Sequence, residues 1–558
     1  MPNETIRGAD LLVRTLERFG VEKIFSLSGN HIMPVYDALV DTAIDLIHVR
    51  HEAACVHMAD AYARLTGEVG IALVTGGQGH ANGTAALATA LAAESPVILL
   101  SGHAGLNELG KGAFQEMRQA EFCRELTKAS WTVQSAAAFG HDLARAMQIA
   151  RSGRPGPVHL SLPVDLLEQA VPLADNLWPG MDDAERLVTP LSDAVADLVL
   201  MHVAAAARPL IVCGPTFCSV AGRTSMQELS RRTGAPVVGM ESPRGINDPG
   251  LGAYAQVVAQ ASLIVLLGKP LDFTLCFGQA PAIDALCHWI VIDPERALLD
   301  RAAGLLQKRM LLATLAAPAD AMLALLKRAV HSGRSAHACG VAAAPDNDWL
   351  VDASALIAYR PPQWRAMQFA DDQPVHPVAL GRALQAFIDR HPRTTLVCDG
   401  GEIGQWPQAT VQVERRLING VAGAIGPSLP FALAAKAANP EQPVLAVMGD
   451  GTFGFHMAEF DTAVRHGLSV IVVVGNDARW NAEYQIQVRN YGAARTLGCE
   501  LLPTRYEKVA QALGGHGEYV ATLAALVPAL ERAAASGKPA CLNVMLQSTP
   551  APMVRCKY

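Results

Sequence analysis

The segment Gly449-Asp450-Gly451-Thr452 ends an apolar run, Val444–Met448, and opens a helical pattern; a second apolar run, Val470–Val474, then stops at Gly475-Asn476-Asp477. Asp450 is thus expected at a strand's carboxyl end, where open α/β sheets take ligands, and a second oxygen donor returns at the end of the next strand. Such hard oxygen donors suit Mg2+, or Ca2+ or Mn2+, with phosphate oxygens and water completing the shell. Gly449 and Gly451 let backbone N–H groups approach a diphosphate, and the helix start at Thr452 adds positive potential. A Gly-Asp-Gly tripeptide alone is an ordinary turn. The complete unit of strand, turn, amphipathic helix, apolar strand and Asn-Asp gives it weight.

Other positions carry chemistry less specifically. Glu52, in Arg50-His51-Glu52-Ala53-Ala54, opens a helix after the run Ala43–Val49. A first-turn glutamate favours the helix dipole, so read alone it is structural. His31 lies in Ser28-Gly29-Asn30-His31-Ile32, after the first strand pattern, and a lone histidine is more often structural than catalytic. Gln115, in Gly112-Ala113-Phe114-Gln115-Glu116, carries an amide able to orient a carbonyl or hydroxyl without titrating. Gln78 and His80, in the glycine-rich stretch from Gly76 to Gly83, and Trp480 and Glu483, after the Asn-Asp pair, are candidates to line a substrate pocket.

The strand–GDG–helix–strand–Asn-Asp unit resembles the thiamine diphosphate motif of acetolactate synthase, pyruvate oxidase, oxalyl-CoA decarboxylase and benzaldehyde lyase. The resemblance implies that thiamine diphosphate is held by a divalent metal bound to Asp450, Asp477 and the backbone carbonyl of Arg479. Asp477 departs from the family's usual asparagine, adding a negative charge. Asp399-Gly400-Gly401-Glu402 matches another wall of the diphosphate pocket, giving Gly401 and Glu402. Gly423-Ala424-Ile425-Gly426 matches the segment whose bulky residue props the cofactor, here Ile425, and whose glycine, Gly423, offers its carbonyl; Pro427 directly after is unusual. The Arg-His-Glu-x-Ala context makes Glu52 the glutamate that activates the cofactor's pyrimidine. Benzaldehyde lyase has a histidine matching His31 and a glutamine matching Gln115, and acetolactate synthase shares Phe114-Gln115. Trp480-x-Ala482-Glu483 is similar to sulfoacetaldehyde acetyltransferase. In the family the glutamate comes from one subunit and the metal segment from another. A homodimer is therefore the implied minimum and a homotetramer common.

These residues need scaffolds. With 558 residues the chain exceeds one hydrophobic core. Short Val/Ile/Leu runs ending at glycine and followed by helical patterns predict three doubly wound parallel-sheet α/β domains. Expected boundaries are 1–180 for a pyrimidine-binding domain with the activating glutamate, 190–335 for a central domain, 370–550 for a diphosphate- and metal-binding domain, and 551–558 for a tail that is either a lid or a frayed end. The first and third blocks match in size and layout, which hints at a duplicated unit. Residues 331–346, rich in Ala, Gly and Ser, read as a linker edge. In relatives the central block's ligand surface, here Gly268–Phe273 and Asp293, holds FAD, ADP or coenzyme A, or nothing; the sequence leaves all of these open.

Composition narrows the class. The net charge of −7 and the absence of basic tracts argue against nucleic acid. No uncharged apolar run reaches membrane-spanning length, and Met1–Thr5 lacks the features of a signal peptide. The eleven cysteines form no Cys-x-x-Cys pair and read as reduced, mostly buried thiols of a cytoplasmic protein. The expected function is a C–C lyase or carboligase acting beside a carbonyl or hydroxyl carbon of a small molecule: a 2-hydroxyketone, 2-hydroxyacyl-CoA or 2-oxo acid. The alternatives are a simple 2-oxo acid decarboxylase releasing an aldehyde and a catalytically silent regulatory homologue.

Overall fold

The computed structural model describes residues 4–335 and 348–556. Of the expected linker edge at 331–346, residues 331–335 instead end the helix Pro318–Ser335, and the rest lies outside the described residues, as do the last two residues of the tail. Three parallel sheets carry the fold. The first comprises, in chain order, Lys23–Ser26, Asp45–His48, Gly70–Val74, Val97–His103, Ala129–Thr132 and Val158–Pro163. The third comprises Thr395–Cys398, Arg415–Ile418, Val444–Gly449, Ile471–Asn476, His516–Val520 and Ala540–Met545. Numbered along the chain, both line up 2-1-3-4-6-5, so the two outer sheets share one topology. The central sheet, Pro209–Cys213, Val237–Gly239, Leu263–Leu267, His288–Asp293 and Met310–Leu315, runs 2-1-3-4-5. A short antiparallel ribbon, Thr5–Arg7 on Ala170–Pro172, ties the start of the first domain to its end.

The inner strands of each parallel sheet are buried on both faces, which is why they read as unbroken apolar runs rather than alternating ones. In the first sheet Phe25, Ala72, Val74 and Leu99 point into one core, while Ile24, Ile71, Leu73 and Ile98 point into another. The third sheet divides likewise: Val397, Ala446 and Val472 on one side, Leu396, Leu445 and Val473 on the other. The inner cores of the first and third sheets are one continuous cluster. The helices Glu52–Thr66 and Ser428–Ala438 pack against each other within it. Polar contacts fix that packing. Arg64 grips Asp60 with two hydrogen bonds, 2.7 and 2.5 Å, donates to the Ile418 carbonyl at 2.9 Å and lies over the Phe431 ring. Glu459 accepts from the Arg50 backbone N–H at 3.1 Å, at the mouth of the helix that Glu52 opens.

In a 2-1-3 arrangement the crevice for ligands opens between the carboxyl ends of strands 1 and 3, where the strand order reverses. In the central sheet those ends carry Gly214-Pro215-Thr216 and Gly268-Lys269. Two residues of the N-terminal domain fill this crevice. Glu94 accepts from the Thr216 N–H at 3.2 Å and from its hydroxyl at 2.5 Å. Arg154 donates to the Gly268 carbonyl at 2.7 Å and pairs with Glu94, Asp293 and Glu295. Asp293, named above on the central block's ligand surface, is engaged by Arg154, and burial pushes its carboxyl up to about 6. Lys269 is almost fully buried and bonds Asp272 at 2.8 Å. Among the described residues no helix is long and apolar enough to cross a membrane.

Removing the guanidinium would strand two buried acids without a counter-charge, and breaking a buried pair from one side costs about 3–5 kcal/mol. Arg154→Ala is therefore expected to lower the thermal unfolding midpoint clearly, whereas Arg296→Ala, removing an exposed helix pair, leaves it nearly unchanged. Calorimetric scans of the two variants check this; equal midpoints would refute the docking role.

Candidate active site

The switch points of the two outer sheets hold the residues singled out from the sequence. In the first sheet, strand 1 leads to His31 and strand 3 to Thr75. The Thr75 hydroxyl lies 3.3 Å from His31 Nδ1, and burial holds the imidazole below its usual pKa. The chain then turns through Gly77, at φ +58°, into the helix Gln78–Ala92. A side chain on Gly77 would meet Gln115 Cβ at 2.5 Å, so this turn needs glycine both for its conformation and for the close approach. Gln115 itself sits at φ +57°, and Phe114 stacks on the His31 ring with centroids 5.9 Å apart. Buried Gln119 braces the loop by accepting from the Gly77 N–H at 2.9 Å. Glu52 faces the same helix start. Its Oε2 accepts from Asn82 at 3.1 Å, and its Oε1 lies 3.2 Å from where a Gly79 side chain would begin. His31, Glu52 and Gln115, more than 80 residues apart at the extremes, thus surround one loop.

Gln78 is exposed beside this loop, bonding Asn82 at 3.3 Å. His80 corrects its expected place. The helix begins at Gln78, so residue 80 turns inward; its side chain is fully buried, 2.9 Å from Ser101 Oγ, and does not face a substrate. Asn82 went unnoticed in the sequence as a partner of Glu52, since nothing local links positions 52 and 82.

In the third sheet, strand 1 leads to Asp399–Glu402 and strand 3 to Asp450. A cavity of about 300 Å³ opens there, lined by Gly401, Glu402, Gly423, Ile425, Gly449, Asp450, Gly451, Thr452, Arg479, Trp480 and Glu483 among others. Every candidate from the C-terminal domain except Asp477 lines it, and none of its lining comes from the N-terminal domain. Gly449 pairs in register with Gly475 on the adjacent strand, which brings Asp477 close to Asp450. Asp450 is 1% exposed; one oxygen accepts from the Gly451 N–H at 3.0 Å, and Oδ2 is buried without a partner. Both carboxylate oxygens of Asp477 are likewise buried and unpartnered. Burial, reinforced by the Asp477 charge, pushes Asp450 up to about 7; burial pushes Asp477 up to about 6, against the pull of the nearby Ser548 hydroxyl and of Arg479. Three orphaned oxygens on two adjacent buried acids are unfavourable in a chain alone and are satisfied by a hard cation.

The backbone is built for the same purpose. A bridge between Arg479 and Glu500 uses the Trp480 N–H and the Ala478 carbonyl, which leaves the N–H and C=O of Arg479 on the opposite side. The Trp480 indole lies over Gly451, where any Cβ would meet it at 2.7 Å. Asp399, fully buried, accepts from the N–H groups of Gly400 (2.7 Å), Gly426 (3.1 Å) and Ser428 (3.3 Å), tying the two glycine-rich walls together. Pro427 fits because the Asp399 bonds skip it and the helix begins one residue later. Ile425 is 38% exposed toward the cavity. Glu402 pairs with Arg244 at 3.5 Å and accepts from the Ala551 N–H at 3.1 Å; the tail then runs to the central domain, where the Cys556 backbone exchanges two hydrogen bonds with the Gln256 side chain.

Comparison with known proteins places this geometry. Residues 6–122 match the thiamine pyrophosphate enzyme N-terminal TPP-binding domain, and residues 399–544 match the corresponding C-terminal TPP-binding domain. The chain is 31% identical to the acetolactate synthase large subunit IlvG of Mycobacterium tuberculosis over 98% of its own length and 96% of that protein's. It is 30% identical to human 2-hydroxyacyl-CoA lyase 2 over 91% of the chain and 84% of the relative, and 27% identical to the catabolic acetolactate synthase of Raoultella terrigena over 98% and 96%. Two matched TPP-binding domains, each with its candidate residues at the switch point of its sheet, and full-length relatives of this kind show that the chain belongs to the thiamine pyrophosphate enzyme family.

Proposed function

We propose that the chain is a thiamine diphosphate- and Mg2+-dependent C–C lyase or carboligase acting beside a carbonyl or hydroxyl carbon of a 2-oxo acid, 2-hydroxyketone or 2-hydroxyacyl-CoA. The observation that carries it is a pair of adjacent buried carboxylates with three unpartnered oxygens, Asp450 on the wall of a glycine-lined cavity and Asp477 next to it. The printed activities of the relatives, acetolactate synthase and 2-hydroxyacyl-CoA lyase, support the reaction class. Thiamine diphosphate, when bound, supplies a carbon nucleophile that adds to a carbonyl and stabilises the electron pair left when the neighbouring C–C bond breaks.

The protein's part follows from its own atoms. Asp450, Asp477 and the Arg479 carbonyl hold the metal, and Gly449, Gly451, Thr452, Gly401 and Glu402 form the phosphate end. Ile425 and Gly423 support the cofactor's middle. Glu52 holds or releases a proton at Oε1 while Asn82 fixes Oε2; a half-buried carboxylate is well suited to that exchange. His31, kept neutral by burial, accepts or returns a proton from the substrate oxygen, and Gln115 orients that oxygen by its amide. Gln78, Trp480 and Glu483 line the approach, with the tail from Ala551 as its cover. The cavity lining, which among the described residues holds none from the N-terminal domain, supports a working site that joins Glu52 of one copy to the metal segment of a second. The chain acts as a homodimer or a homotetramer of such pairs. Phe114 and Phe122, exposed at 68% and 54% beside the Glu52 loop, then become interface residues.

A product screen tests the class: incubation with a 2-oxo acid and a spare aldehyde should yield a coupled hydroxyketone, and release of free aldehyde alone would reassign the enzyme as a simple decarboxylase. Glu52→Ala should abolish turnover and leave the fold intact by circular dichroism; turnover persisting above the free-cofactor background would remove Glu52 from the mechanism. Mixing inactive Glu52→Gln and Asp450→Asn chains should restore about one quarter of wild-type activity, since one of two sites in each mixed dimer is whole. No recovery after mixing would place both halves within one chain. In calorimetry, Asp450→Asn should lose Mg2+-dependent cofactor binding. Asp477→Asn should weaken Mg2+ binding in the absence of cofactor by about tenfold or more, as one negative charge leaves the site, while binding Mg2+ with thiamine diphosphate at least as well as the wild type.

A further inference from the structure

Beneath the Glu52 loop, three side chains from separate elements converge in the core: His80 from the helix Gln78–Ala92, Cys123 after the helix Gln119–Phe122, and His159 from the strand Val158–Pro163. All three are fully buried, and their donor atoms lie within 4.8 Å of one another. The hydrogen bonding is lopsided. On the Nδ1 side each imidazole has a close serine: Ser101 Oγ at 2.9 Å from His80 and Ser130 Oγ at 2.8 Å from His159. On the Nε2 side the oxygen contacts are long, Thr84 at 3.3 Å for His80 and Ser161 at 3.5 Å for His159, and the His80 nitrogen instead meets Cys123 Sγ at 3.4 Å, an ordinary distance for sulfur. Metal-binding histidines show this asymmetry, with one nitrogen anchored to a polar neighbour and the other turned to the ion. His103, nearby, has a carbonyl within reach of each ring nitrogen and so stands apart.

We propose that His80, Cys123 and His159 form a buried site, two imidazole nitrogens and one thiolate sulfur, for one thiophilic d10 cation, selective for copper(I). Three-coordinate bonds of about 2.0–2.3 Å need donors roughly 3.5–3.8 Å apart, which the cluster meets after shifts of about an ångström. Soft thiolate with imidazole selects Cu+ or Zn2+ over Mg2+. Charge separates the first two. Among the described residues no carboxylate bears on either imidazole; the titratable groups that face them are histidines, His103 among them. One thiolate neutralises Cu+ but leaves Zn2+ with a net positive charge in the core, which is costly to bury. Binding releases the Cys123 thiol proton to solvent and changes no oxidation state. Both histidines are held neutral by burial, ready to ligate. The ion would fasten the segment after Gln115 to the sheet.

Reduced, chelator-washed full-length protein titrated with Cu+ buffered by bicinchoninate should take up one copper per chain more than the Cys123→Ser or His159→Gln variant, although ten other cysteines remain in either case. X-ray absorption of the copper-loaded wild type should show nitrogen and sulfur together in the first shell. Should the variants fail to fold, that spectrum decides alone. Equal uptake by folded variants, or an all-sulfur shell, overturns the site. A parallel titration with Co2+ standing in for Zn2+ should show no thiolate-to-metal band lost in the variants; such a band without copper uptake overturns the selectivity. None of these readouts involves Asp450 or turnover, so they stand or fall independently of the proposed function.

Discussion

A parallel sheet whose strand order reverses has one place where successive connections part to opposite faces, and the carboxyl ends of strands 1 and 3 open there onto a crevice. This chain builds that crevice three times and fills each differently. The N-terminal crevice carries a hydrogen-bonded loop ringed by His31, Glu52 and Gln115. The C-terminal crevice is an open cavity beside two acids, three of whose four oxygens have no partner. The central one is occupied by Glu94 and Arg154 from the neighbouring domain, which satisfy the strand-end groups that a ligand would otherwise meet. The glycines at each strand end follow from the same constraint, since a backbone that must approach a ligand, an indole or a second loop has no room for Cβ.

How much of this the sequence disclosed depends on how local the cause is. Strands buried on both faces are mostly apolar runs, so Pro209–Cys213, Leu263–Leu267 and Ala540–Met545 stand out in the sequence itself. Edge strands were not: Ala129–Thr132, Arg415–Ile418 and His516–Val520 are partly exposed and mixed in composition, and only their neighbours make them strands. The metal segment was legible because strand, turn, helix and returning strand are consecutive. The Arg154 plug, the Asn82 partner of Glu52 and the inward turn of His80 were not, since each depends on contacts between distant positions or on where a helix begins. The scattered cysteines gave no spacing to read, and Cys123 gains meaning only beside two histidines from other elements.

Departures from expected residues also become intelligible in three dimensions. Pro427 interrupts a glycine-rich turn, yet the Asp399 carboxylate bonds the amides on either side of it and asks nothing of position 427 itself. Asp477 replaces an amide with an acid in a site already holding Asp450. Burial raises both acids above the ordinary carboxylate range, the Asp477 charge adds to the rise at Asp450, and the charge to be compensated there is larger than an asparagine would leave.

The single apolar core shared by the first and third sheets has a consequence for synthesis. The helix Glu52–Thr66 finds its packing partner, Ser428–Ala438, more than 350 residues later in the chain. At about 5–20 residues per second a ribosome needs roughly 20–70 seconds to deliver it, and through that interval the inner face of the first domain stays uncovered. Apolar surface exposed in this way is prone to associate with that of other unfinished chains until the third domain covers it.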